Sequence, residues 1–174
     1  IADVGSHAYD AVRWILGVEA KRVLAHGDVI TPAKPDMGNI NLGEAIAWGG
    51  KHSLGDASES RKGTAFDYAS VAVEMHGGAV GTFVLSHAPV LRKGLTPELE
   101  LHGTQASLSI DRVSGQVRLF STDAEPETVA TLPDAGQGNR FKQYVFAGLR
   151  DRIEEQASIH PGLDDGYRVQ LFTE

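Results

Sequence analysis

An α+β fold is predicted: an open, mostly antiparallel β-sheet with helices packed on one face. Three observations predict it. The 174 residues include 20 glycines, the habit of a chain with many tight turns. Segments that alternate apolar and polar residues follow one another through the middle of the chain. Helical spacing is confined to the two ends. Strands and helices that are segregated along the chain indicate α+β, whereas doubly wound α/β needs them to alternate.

The elements follow in order. Residues 5–17 are expected to form a helix, capped by Ser6, with Ala8, Ala11, Val12, Ile15 and Leu16 as its apolar stripe and Gly17 as its C-cap. Lys21 to Ile30 reads as a strand that Pro32 and Pro35 end. Residues 33–66 are rich in Gly, Ser and Asn and show no period beyond a short helical turn near Leu42–Trp48; a loop this long in a domain is functional or disordered. "FDYASVAVEMHGGAVGTFVLSHAPV" is the clearest β text. In it Tyr68, Ser70, Ala72 and Glu74 oppose Ala69, Val71, Val73 and Met75, and Gly77-Gly78 makes a two-residue hairpin turn. "ELELHGTQASLSI" is a second strand pair turning at His102–Gln105, and "QVRLFS" and "ETVATL" are further strands. Asn139 is expected to cap a helix carrying Phe141, Val145, Leu149 and Ile153, and "LDDGYRVQLFTE" begins another. One domain spanning 1–174 is expected, its second sheet face left to pair with a partner.

Composition narrows the function. The formal net charge is −7, and an acidic chain lacks the clustered cations that nucleic acid requires. No run approaches the eighteen apolar residues of a membrane span, and no signal peptide is recognisable. With no cysteine there is no disulfide, thiolate metal site or thiol nucleophile, which suits a cytoplasmic protein. There is no G-x-G-x-x-G between strand and helix, no P-loop, no G-x-S-x-G and no H-E-x-x-H. "GGAVG" has another spacing and lies in a hairpin.

The residues that carry chemistry open the chain. Asp3, His7 and Asp10 are spaced by four and then three, so a helix sets them on one face. A carboxylate beside an imidazole fixes its tautomer, and such a pair is equipped to take a proton from a hydroxyl. The same three residues also suit a metal ion, or simply the polar side of a helix N-terminus, where aspartate complements the dipole. His87 ends a strand just before a proline, where it can line a cleft and contact a substrate. Arg92 and Lys93 read as a solvated turn. Trp48 and His52 are either a lid or surface packing, and the other histidines are expected at strand ends and turns.

Four blocks, in order, resemble one family. "ADVGSHAYDAVRWILG" is similar to the D-x-G-x-H-x-x-D segment that opens the C-terminal domain of the Gfo/Idh/MocA oxidoreductases. "DYASVAVEMHGGAVG" resembles that family's next strand and hairpin, "LHGTQASL" its I-x-G-T-x-G-S-L pair with Ala106 in place of glycine, and "DGYRVQ" its late D-G-x-x-x-Q helix. The resemblance implies a two-domain parent whose N-terminal Rossmann domain binds NAD or NADP and carries a catalytic lysine. This chain would be the substrate and oligomerisation domain, acting on the CH–OH of a sugar, polyol or related compound. Asp3 and His7 would stand at the reacting hydroxyl as catalytic residues, with Asp10 and His87 as substrate contacts and no cofactor-binding or metal-binding residue in this chain. A homo-oligomer built through the sheet face is implied too. The chain opens at Ile1 and stops inside a predicted helix at Glu174, so it reads as trimmed at both ends and inactive alone. Two other readings are a non-catalytic module with the same sheet and a metal-dependent sugar isomerase or lyase using Asp3 and His7.

Overall fold

The computed structural model describes residues 1–51, 59–87, 99–111, 114–131, 146–154 and 161–174. His52, Arg92, Lys93, Asn139, Phe141, Val145 and His160 lie outside them. The architecture is α+β with antiparallel sheets. The chain forms two compact units, one of residues 1–91 and 161–174, the other of residues 92–160.

The first unit carries the candidate site. It contains α1 (Ala2–Leu16), β1 (Ala20–Asp28), β2 (Lys34–Pro35), α2 (Leu42–Gly49), β3 (Ser60–Arg61), β4 (Tyr68–Met75) and β5 (Val80–Ser86), and the chain later returns with α4 (Leu163–Thr173). β1, β4 and β5 form a three-stranded antiparallel sheet in the order β1-β4-β5, while β2 and β3 pair separately. The alternation of β4 decides the faces. Ala69, Val71, Val73 and Met75 are buried, and Tyr68, Ser70, Ala72 and Glu74 point the other way. α1 and α4 cover the buried face: Tyr9 and Phe172 stack with ring centroids 3.9 Å apart, and Phe83 meets Phe172 edge-on at 5.8 Å. Tyr9, Val73 and Met75 form one cluster, and Ala69, Val71 and Leu85 form a second beneath Ile1, Val4 and Ala8.

Helix α1 begins at Ala2, three residues before the expected start, so Ser6 lies inside it. Its hydroxyl donates to the Asp3 carbonyl at 2.7 Å, the local bond open to a serine within a helix turn. Gly17 closes the helix in the left-handed region at φ 67°. The buried line is Gly5, Tyr9 and Arg13, whereas Ile15 and Leu16 are exposed. The expected stripe is therefore only half realised, through Ala8 and Val12. The long segment supplies a true helix, α2, because Asn41 and Glu44 form a reciprocal capping box. The β4–β5 turn has three residues rather than two: Met75 N–H donates to Ala79 O at 2.8 Å, leaving His76, Gly77 and Gly78 in the loop. His76 is held there because its N–H donates to Glu19 O at 2.8 Å.

The second unit contains β6 (Leu99–His102), β7 (Ala106–Asp111), β8 (Gln116–Ser121) and β9 (Ala124–Thr131), an antiparallel meander in that order, and α3 (Ala147–Ile153). Pro126 is tolerated because, among the described residues, β9 pairs with β8 alone and its register slips between Leu119 and Ser121. Among the described residues no helix is long and apolar enough to cross a membrane.

The β4 core makes a direct test. Met75→Ala removes one of the two most deeply buried side chains and is expected to cost about 2–5 kcal/mol, read as a lower urea midpoint at unchanged slope. A midpoint equal to wild type would contradict this packing.

Candidate functional site

The first turns of α1 present Asp3 and His7 one helical turn apart. Asp3 Oδ1 lies 3.7 Å from His7 Nε2, and both side chains are 84% exposed. That is ion-pair distance rather than a hydrogen bond, and both groups are open to solvent. Asp10 continues the stripe but is engaged elsewhere: its Oδ1 accepts from Arg13 Nε at 3.1 Å. Among the described residues no group of three or more His, Asp or Glu side chains converges as a metal site would require.

Arg13 is the residue that sequence reading missed. It is 8% exposed and carries three carboxylates, Asp10 at 3.1 Å, Glu19 at 2.9 Å and Asp165 of α4. Burial alone would lower the pKa of its guanidinium, but the Asp165 hydrogen bond and the surrounding negative charge outweigh it and raise the value. Glu19 also accepts from Tyr9 Oη at 3.0 Å and pairs with Arg168 of α4 at 3.4 Å. Tyr9 Oη in turn accepts from Ala20 N–H at 3.0 Å. Asp165 accepts from Gly162 N–H at 2.6 Å, which fixes the start of α4. The opening D-x-G-x-H-x-x-D block and the late D-G-x-x-x-Q block are thus joined through one buried guanidinium. The available signal was a cation four residues after Tyr9, on the face that α1 buries.

His87 is exposed at the end of β5, and its N–H donates to Asp67 O at 2.8 Å. The start of α1 reaches the same end of the sheet, since the Ile1 nitrogen lies 3.4 Å from Phe66 O and Ile1 packs near Leu85. Asp3 and His87 therefore belong to elements that meet at one sheet end. Beside them, the buried Asp67 carboxylate accepts from Thr31 Oγ1, from Ile30 N–H at 2.9 Å and from Thr31 N–H at 3.3 Å. The Thr31 hydroxyl chiefly, then the two amides and nearby Lys34, outweigh its burial and hold this carboxyl below the ordinary range. Of the other histidines, His26 sits within β1 rather than at its end. His102 closes β6, its Nδ1 3.1 Å from Ser107 Oγ.

The sequence profile of the GFO/IDH/MocA C-terminal domain matches residues 1–109, more than half of the chain. This chain belongs to that family. Among solved structures it is similar to an oxidoreductase domain protein from Kribbella flavida, at 20% identity and a TM-score of 0.71, covering 98% of this chain and 46% of that one. Levoglucosan dehydrogenase in complex with NADH and L-sorbose matches at 21% identity and a TM-score of 0.67, covering 98% and 45%. UDP-N-acetylglucosamine 3-dehydrogenase GnnA from Acidithiobacillus ferrooxidans matches at 13% and 0.62, covering 97% and 42%. The chain thus spans under half the length of these structures. No curated protein matches it in sequence.

The depressed Asp67 value fixes a sign. Its contribution to stability is present above the unfolded carboxylate range, near pH 4, and is lost as pH falls through the folded value. Asp67→Asn is expected to lower the melting temperature at pH 7, by an amount that shrinks as the pH falls below the unfolded carboxylate range. A loss that stays the same size as the pH falls would contradict the assignment.

Proposed function

We propose that this chain is the substrate domain of an NAD(P)-dependent oxidoreductase acting on the CH–OH group of a sugar or polyol. The observation that carries the reading is the Asp3–His7 pair, open to solvent on a helix fixed to its sheet by Arg13. Family membership and a levoglucosan dehydrogenase neighbour with bound NADH support it. His7 accepts the proton of the substrate hydroxyl as the carbonyl forms, and Asp3 orients the imidazole and balances its positive charge. The exposure of both groups gives that proton a direct path to water. Asp10, braced by Arg13, and His87 are the further substrate contacts in this reading.

The nicotinamide, when bound, accepts the hydride. The glycine pair Gly77-Gly78 turns a β-hairpin and precedes no helix, so it offers no helix N-terminus to a pyrophosphate. In this reading the cofactor is held outside residues 1–174.

The outer sheet face supplies the oligomer contact. Leu24, Val80 and Val84 are 77%, 80% and 68% exposed and share that face with Ala72 and Thr82. An exposed apolar face of this kind suits a second copy of the same chain.

Two outcomes are expected for the full-length protein. His7→Ala lowers kcat about 10²–10⁴-fold while the cofactor Kd stays near wild type; wild-type turnover would refute the role. Val80→Glu with Val84→Glu shifts the light-scattering mass to a smaller species without loss of helix signal, and an unchanged oligomer would refute the interface.

A further inference from the structure

The β2–β3 ribbon has an unusual charge arrangement. Its register sets Lys34 directly opposite Arg61, and Lys62 follows at once. Like charges directly opposite on paired strands destabilise a ladder, and this ladder is only two residue pairs long. Among the described cations, Arg13, Lys21, Arg22, Arg150 and Arg168 hold ion pairs, whereas Lys51, Arg118 and Arg152 do not. Lys34, Arg61 and Lys62 hold no ion pair among the described residues, and all three are exposed.

The three cations line a cavity of about 420 Å³, whose wall includes Thr64, Phe66 and Asp67. Two carboxylates also lie there, and both are engaged. Asp67 is bound by the Thr31 hydroxyl and two backbone amides, and Asp36 accepts from Gly38 N–H at 3.0 Å. The lining is therefore three cations against two carboxylates, with the Thr64 hydroxyl beside them. Its position matters as well. Phe66 and Asp67 touch the start of α1 and the end of β5, which bear Asp3 and His87.

Resting on the oxidoreductase reading above, we infer that the cavity of Lys34, Arg61 and Lys62 binds an oxyanion of the substrate, a phosphate or a carboxylate, while the Asp3–His7 end holds the reacting hydroxyl. Arg61 supplies the fork that two oxygens of such a group can share, and Lys34 and Lys62 add point charges on either side. The substrate is then an acidic sugar derivative rather than a neutral sugar.

Calorimetric titration of the full-length protein with inorganic phosphate, and separately with acetate, tests this against sodium chloride at matched ionic strength. Saturable binding of one anion is expected, with at least a tenfold weaker Kd in the Lys34→Gln, Arg61→Gln double variant. Saturation by phosphate alone assigns a phosphate ester, and saturation by acetate assigns a sugar acid. Heats no different from chloride, or binding unchanged in the double variant, would overturn the site. The side chains are exposed, so the variant should keep wild-type circular dichroism. A second readout separates the two proposals. Arg61→Gln should lower kcat/KM at least tenfold for an anionic polyol and leave it unchanged for the neutral analogue. Equal effects on both would overturn the site even if turnover still depends on His7. Phosphate binding retained in an enzyme whose turnover ignores His7 would refute the role of His7 and support the anion site.

Discussion

One buried guanidinium holds the candidate site in place. Arg13 binds a carboxylate from its own helix, one from the residue that leads into β1, and one from α4, which arrives about 150 residues later in the chain. A lone buried charge would be prohibitive; three partners and the Tyr9–Glu19 bond make it a three-way joint. Apolar packing draws α1 and α4 onto the sheet through Tyr9, Phe172 and Met75. Val4, Ala8, Tyr9 and Val12 set which face of α1 meets the sheet, and the directional bonds of Arg13 to Glu19 and Asp165 tie that face to the entry of β1 and to α4, with Asp3 and His7 exposed.

The two ends of the first unit then divide the work. The Arg13 joint, near Gly17 and the start of β1, is rigid and internally satisfied. The opposite end gathers the groups left open: Asp3 and His7 on α1, His87 after β5, and the cations of the β2–β3 ribbon near Phe66 and Asp67. In the proposed reading, one small molecule would offer its reacting hydroxyl to His7 and its charged tail to the cations of the ribbon.

Much of this was legible in the sequence because period and turn chemistry agreed. The β4 alternation named its buried and exposed faces residue by residue, and Gly17 marked the helix end. Two of the failures come from contacts made outside the segment concerned. The helix was expected to bury an aliphatic stripe, but Arg13 displaced Ile15 and Leu16 because its partners Glu19 and Asp165 cannot be seen from within α1. The β4–β5 turn gained a residue because Glu19 holds His76. The β2–β3 ribbon is too short to leave any periodic trace. Of the candidate residues, Asp3–His7 and Asp10–Arg13 both sit at helical spacing, whereas the bonds of Arg13 to Glu19 and Asp165 have no such trace.

The most direct measurement is amide hydrogen exchange on the protein and its Arg13→Met variant, which keeps side-chain length while leaving three carboxylates without their common partner. If Arg13 locks α1, the variant loses protection in α1 and α4 together, by 100-fold or more if about 3 kcal/mol is lost, while β4 keeps its slow exchange. Unchanged protection of both helices would contradict the account, because packing alone would then suffice to hold Asp3 and His7 where they stand.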